Sequence, residues 1–270
     1  MYKIAKAFKA LGLLLRKPYL MNLLIDSEDN KKEYVAKKFG LPNGLPTVDI
    51  SYFVDIEEKI EPYSFLDGSS LPSDFALLRS ICRKNHVEDY LEIGTWRGES
   101  VANVAPLVKN CHSINLPDEQ MRNAGLDEAY IGMHRFFSKD LTNVTHIQAN
   151  SQTFDFSSLN KKFDLIFLDG DHHTEAIIND TKNAFNLLKD EHSVIVWHDY
   201  GLSTEIPRFN VLAGILNGCP PEKIKKLYHV SNTLCAIYTG KTIHSATILP
   251  NTPPSKYFAL TLKTISNKNH

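Results

Sequence analysis

Tyr90-Leu91-Glu92-Ile93-Gly94-Thr95-Trp96-Arg97-Gly98-Glu99-Ser100 is the stretch that decides the fold of this chain. Tyr90 to Ile93 reads as a buried strand, Gly94 as a turn, and a helix begins near Gly98. Glycine at those two places lets the backbone approach a ligand closely and take turns that other residues resist. Amide groups at the helix start then face whatever binds there, and an anionic group is welcome. In an open α/β sheet, ligands sit beyond the carboxyl ends of the strands, where this loop would lie.

Working outward, helix and strand alternate. A helix over 73–85, capped by Ser73, precedes the loop, with Phe75, Leu78 and Ile81 or Cys82 on one face. After it come a helix over 97–109, strands over 112–116, 146–149 and 163–168, a helix over 172–189 and a strand over 193–197. The runs 226–230 and 234–239 flank a short turn and read as an antiparallel hairpin. This order predicts an α/β, Rossmann-like, doubly wound sheet covered on both faces. Residues 1–72 form an N-terminal helical and lid segment with a Pro/Gly-rich linker, 73–240 the ligand-binding domain, and 241–270 a C-terminal extension.

The glycine spacing separates two cofactor classes. A dinucleotide loop of the form Gly-x-Gly-x-x-Gly would have glycine where Trp96 stands, and the indole would obstruct a pyrophosphate. Glu92 would repel phosphates and attract a cation, such as the amino group or sulfonium of S-adenosylmethionine. A nicotinamide-dependent oxidoreductase is therefore the weaker enzyme reading. The sequence Leu-Glu-Ile-Gly-Thr-x-x-Gly-x-Ser resembles motif I of class I S-adenosylmethionine-dependent methyltransferases, closest to the catechol and sugar O-methyltransferase branches.

The resemblance spans roughly 73–240 and implies seven strands, the last antiparallel. It implies that Glu92, Gly94, Trp96 and Ser100 line the methionine part of S-adenosyl-L-methionine, with Thr95 and Gly98 completing the loop. Asn115 falls where an acid usually holds the ribose hydroxyls; it can hydrogen-bond a diol without charge, and Asp118 is close enough in sequence to substitute. Asn150, Ser151 and Gln152 resemble the adenine-contacting segment, although polar residues are common in such loops anyway.

Strand ends also gather Asp169, Asp171, His172, His198 and Asp199 at one edge. Carboxylates and imidazoles gathered there suit a divalent metal or acid–base chemistry, and methyl transfer to a hydroxyl needs the alcohol deprotonated or polarised. The resemblance implies magnesium on Asp169 and Asp199 and a base at His172, with Asp169 also at the cofactor. His198 stands where sugar-modifying relatives carry another acidic ligand. Imidazole suits magnesium poorly, so the metal set Asp169, His198 and Asp199 leaves the ion's identity open. Tyr200 departs from the amide of catechol-type enzymes. Asp171 reads as a cap for the following helix, Asp164 as a turn residue, and His173 and His192 as solvent-facing.

At 270 residues, 43% hydrophobic and 23% charged, the chain has the size and balance of one α/β domain with an appendage. A net charge of −1 offers no field for nucleic acid. Cys82, Cys111, Cys219 and Cys235 form no CxxC pair, which fits a reducing cytoplasm. Ile4, Phe8, Leu11 and Leu15 recur at helical spacing among Lys3, Lys6, Lys9 and Arg16. Residues 1–17 therefore either lie on an anionic membrane as a peripheral helix or pack against the domain or a second subunit, as in a homo-oligomer. The function expected is O-methylation of a small-molecule or glycan-type acceptor, its pocket shaped by the first segment and by the insertion over 117–143 with Phe136 and Phe137. The rival from another class is a silent scaffold that keeps the fold.

Overall fold

The structure is a computed structural model that describes residues 2–17 and 27–266, with only the backbone of Tyr2 and Lys3. The strands are β1 (Thr47–Val48), β2 (Asp89–Ile93), β3 (Asn110–Asn115), β4 (Val144–Gln148), β5 (Leu165–Leu168), β6 (Val194–Trp197), β7 (Leu227–Val230) and β8 (Ala236–Thr239). The helices are α1 (Tyr2–Arg16), α2 (Glu28–Phe39), α3 (Pro72–Lys84), α4 (Glu99–Val104), α5 (Asp118–Asn123), α6 (Glu128–Met133), α7 (Thr174–Leu187) and α8 (Phe209–Gly218). The strands form one sheet in the order β4-β3-β2-β5-β6-β8-β7-β1. β8 runs antiparallel to both neighbours and every other pairing is parallel.

The expected topology holds with one strand more than seven. Thr47 and Val48 pair in parallel with His229 and Val230 at the sheet edge. Two residues carry no readable period, so this strand exists only because its partner is already in place.

β5 and β6 are apolar throughout because both faces are covered, and β2 departs from this at Asp89 and Glu92. Ile93, Ile166, Leu168, Ile195 and Trp197 point to one side, where α7 and α8 contribute Ile177, Ala184, Phe185, Leu212 and Ile215. Tyr90, Leu165, Phe167, Val194 and Val196 point to the other, against Leu77, Leu78 and Ile81 of α3 and Val101 and Val104 of α4. The alternation follows the two-residue repeat of a strand, and burial on both sides removes the polar half of the pattern.

Helix boundaries differ from expectation for local reasons. α4 is shorter than 97–109: it starts after Gly98, whose φ is 77°, and tightens into a 3-10 turn over Ala105–Leu107. Pro106 has no N–H to continue the α pattern. Ser73 does not cap α3. Leu71 is the cap residue, Pro72 takes the first turn, and Asp74 Oδ2 accepts from the Leu71 amide at 2.7 Å. Asp171 does not occupy the cap of α7, which falls on His173; its Oδ1 instead accepts from the His173 amide at 2.9 Å.

The linker over 41–72 has little regular structure, as expected, yet it is fastened. Glu58, its carboxylate almost fully buried, receives Arg79 at 3.0 Å and Arg83 at 3.1 Å. Tyr200 is likewise structural: its hydroxyl accepts from the Leu45 amide at 2.9 Å and ties the first segment to the sheet. All four cysteines are free and buried.

Candidate active site

Strand register brings the sequence-predicted residues to one edge. Ile93 stands opposite both Ile114 and Leu168, and Leu168 opposite Trp197. The residues that follow therefore emerge level: Gly94 after β2, Asp169 after β5, His198 and Asp199 after β6. Gly94 has φ 92°, and a Cβ there would meet the Asp169 carbonyl oxygen at 2.0 Å. Only glycine lets these two strand ends approach so closely. Trp96 (φ 43°) and Asp199 (φ 54°) take left-handed backbone without being glycine. Such conformations cost about 1–2 kcal/mol each and gather at functional turns.

Around Asp199 the side chains form a connected cluster. Its Oδ2 lies 2.9 Å from His172 Nε2 and 3.2 Å from His198 Nδ1, and Arg208 is 3.6 Å from Oδ1. His198 Nδ1 is also 3.1 Å from Asp169 Oδ1. Burial alone would raise the Asp199 carboxyl, but His172 and His198 outweigh it and hold it well below the usual carboxylate range. The hydrogen bond that the ring donates to Asp199 raises His172, against burial. For His198, burial opposes the charged ring, and Asp169, Asp199 and Asp74 outweigh that penalty and hold it well above its ordinary value.

Asp74 is the residue that sequence reasoning missed. It is fully buried at the start of α3, accepts the Leu71 and Leu234 amides, and lies 3.2 Å from His198 Nε2. A carboxylate only accepts, so Nε2 carries a proton and Nδ1 is the nitrogen turned to Asp169 and Asp199. Nδ1 is buried and close to both carboxylates, but it has no partner at hydrogen-bond angles. Asp169 and Asp199 favour a proton on that nitrogen, so Nδ1 would face a metal ion with its lone pair only on losing that proton, with Asp74 orienting the ring from outside. Asp169, His172 and Asp199 also offer ligand atoms within 4.8 Å of one another. The donors fit a divalent ion, and their imidazoles favour a softer ion than magnesium.

On the cofactor side the loop divides in two. Glu92 is fully buried, and its oxygens accept from Tyr90 at 2.5 Å and Ser100 at 2.7 Å. Burial pushes its carboxyl up to about 8. Thr95 is buried against the Ser113 hydroxyl. These three side chains shape the loop from beneath. Gly98 is closely covered by Ser138, since a Cβ there would meet its hydroxyl oxygen at 2.2 Å.

Above the loop, Trp96 lies 4.6 Å from Tyr130 and 4.9 Å from His134, centre to centre. The insertion is bound to the loop through Arg135 N to Trp96 O (2.7 Å) and Phe137 N to Arg97 O (2.8 Å). Asn115 Oδ1 stands 3.3 Å from His134 Nδ1, and His134 Nε2 is buried without a partner. Asp118 is engaged instead by Arg135 at 2.9 Å. His134 was not foreseen, because nothing in the insertion's sequence ties it to Asn115. Asn150 accepts from the Gln152 amide at 3.0 Å, while Ser151 and Gln152 reach Asp180, which burial raises to about 6. His173 and His192 are exposed, and Asp164 accepts the Glu88 and Asp89 amides.

A Gly94 turn against Asp169, with five level strand ends, is the ligand edge of a class I S-adenosylmethionine-dependent methyltransferase fold. Residues 91–200 match the family model described as "Methyltransferase domain". No protein of curated function matches the sequence. Among solved structures, a candidate O-methyltransferase of Klebsiella pneumoniae is 15% identical, with 64% of this chain and 83% of that one covered and a TM-score of 0.46. The Bacillus cereus O-methyltransferase in complex with S-adenosylhomocysteine is 12% identical, with 77% and 96% covered and a TM-score of 0.43. The N-methyltransferase NodS of Bradyrhizobium japonicum, also with S-adenosylhomocysteine, is 16% identical, with 56% and 72% covered and a TM-score of 0.38. At these values the likenesses transfer no residue role to this chain.

Proposed function

We propose that this methyltransferase acts on oxygen, methylating a hydroxyl of a small-molecule or glycan-type acceptor. The observation that carries the reading is His172 Nε2 at 2.9 Å from Asp199 Oδ2, beside the Gly94 turn. When bound, S-adenosylmethionine supplies the methyl group: the acceptor oxygen bonds to that carbon as the carbon–sulfur bond breaks, and the electron pair stays on sulfur. Asp199 accepts from Nε2–H, so Nδ1 of His172 is the nitrogen with a lone pair, and the acceptor's hydroxyl proton goes there. Arg208 and His198 keep the Asp199 carboxylate charged and in place.

Asn115 and the unpartnered Nε2 of His134 suit the ribose hydroxyls, and Trp96 forms a wall of the cofactor crevice. Glu92, Thr95 and Ser100 act as its frame. A divalent ion, held by Asp169, His198 and Asp199, would lower the acceptor oxygen's pKa. Residues 73–240 form the cofactor domain, with 1–72 and 241–270 as additions, and the four buried free thiols suit a reducing cytoplasm.

The test is methyl transfer from labelled S-adenosylmethionine to a panel of phenols, sugars and amines, with and without manganese or magnesium. Label on hydroxyl acceptors that falls in His172→Gln supports the reading; label confined to amines would replace it with N-methylation.

A further inference from the structure

α1 presents an apolar stripe that no described residue buries. Ile4 is 64% exposed, Phe8 71%, Leu11 54% and Leu15 77%. At 100° per residue these four fall within one narrow face, while Lys9 and Arg16 fall on the opposite one beside the exposed Leu13, and Lys17 directly follows the helix. A helix that kept such a stripe in water would carry an unfavourable apolar surface with no return. The stripe therefore has an occupant.

Charge decides which. Residues 1–17 contain five basic residues and no acid, although the whole chain is −1. Positive charge is thus concentrated on a helix whose apolar face is exposed, and the remainder of the chain is net acidic. A protein groove would need the stripe but not a uniformly cationic helix. A bilayer with anionic headgroups asks for both: apolar side chains below the headgroups and cations at the phosphates. At about 1.5 Å per residue α1 is about 22 Å long, and no described helix is long and apolar enough to cross a membrane. The helix would lie in the plane of the surface.

We propose that α1 docks this methyltransferase onto an anionic membrane surface, with Ile4, Phe8, Leu11 and Leu15 inserted and Lys9, Arg16 and Lys17 at the headgroups. The inference is independent of the acceptor and of the methyl-transfer reading. It places the active-site edge of the sheet on a body tethered to a bilayer, whatever that edge methylates.

The experiment is cosedimentation of the full chain with phosphatidylcholine vesicles, alone or with one-third phosphatidylglycerol, at low and high salt. Binding only to the anionic vesicles, weakened by salt, is expected. Phe8→Glu with Leu11→Glu should weaken it at least about tenfold, since each side chain is worth more than about 1 kcal/mol of apolar burial. Lys9→Glu with Arg16→Glu should do the same while keeping the stripe. Both variants should keep the parent's circular dichroism and Tm, because these side chains are exposed. Equal binding to neutral vesicles would overturn the assignment. So would a dimer, seen by light scattering without vesicles, that Phe8→Glu with Leu11→Glu dissolves: the stripe would then belong to a second copy, or to its exposed tail with Phe258, Leu260 and Leu262.

Discussion

Asp199 holds more of the chemistry than any other side chain, with His172, His198 and Arg208 all converging on its carboxylate. Its own left-handed backbone aims it there. His172→Gln is expected to slow methyl transfer by about 10²-fold to 10⁴-fold and to leave S-adenosylhomocysteine affinity unchanged, as calorimetry would show. Because Asp199 raises the His172 ring and a base must be neutral, the rate should climb with pH through a midpoint above about 6.5. In Asp199→Asn that midpoint should move down; a midpoint that stays put would remove His172 from the proton path.

Asp74 belongs to the same scale but acts through another residue. Asp74→Ala leaves the Leu71 and Leu234 amides and His198 Nε2 without their acceptor. A loss of about 3 kcal/mol or more is expected in urea unfolding, since a buried partner is stranded, with Asp74→Asn milder. Asp169 and Asp199 were legible in the sequence because each follows the end of a strand, and His172 because it stands three residues after Asp169. Asp74 was not, because an acid in a helix's first turn looks like ordinary dipole chemistry. Its partner His198 lies 124 positions away. His134 and Arg208 escaped for the same reason: only the closed fold brings them to Asn115 and Asp199.

At the scale of elements, the cofactor loop was readable and its fastening was not. Arg97 and Glu99 form a buried pair at 3.2 Å that grips the chain before α3. Glu99 accepts the Ser64 amide and the Ser69 hydroxyl, and Arg97 donates to the Asp67 carbonyl and to Ser69. The Pro/Gly-rich composition of that segment suggested a loose lid, and composition says nothing of a remote ion pair. Glu99→Ala should make the segment over 61–70 the first site of limited proteolysis and cost about 3 kcal/mol in unfolding. Unchanged cleavage would mean that Glu58, with the Asn103 side chain that accepts from the Glu61 amide and donates to the Pro62 carbonyl, suffices to hold it. α2 was also missed, although Ser27 and Gly40 cap it: it buries only Val35, too little apolar surface to announce a helix.

For the whole molecule, the order of strands and helices was legible because both sheet faces are covered and the central strands β5 and β6 are unbroken apolar runs. The eighth strand was not, being two residues long. The framework's central ionisable group is Glu92, and its burial makes stability depend on pH. Its folded value is raised to about 8 from 4.5, so the native state binds more protons across that window. Stability should therefore fall as pH rises from 4.5 to about 8, by at most about 1.4 kcal/mol per unit, and level off above. Glu92→Gln should flatten the slope of Tm against pH; a slope unchanged in the variant would assign it to other groups.

The edge formed by Gly94, Trp96, Asn115 and Asp169 is proposed to bind S-adenosylmethionine for methyl transfer. Calorimetric titration of the full chain with S-adenosylmethionine, S-adenosylhomocysteine and NADH tests it most directly. Micromolar binding of both adenosyl compounds is expected, with none of NADH, and loss of binding in Gly94→Ala, whose Cβ would strike the Asp169 carbonyl. Binding of NADH, or of neither adenosyl compound, would contradict it.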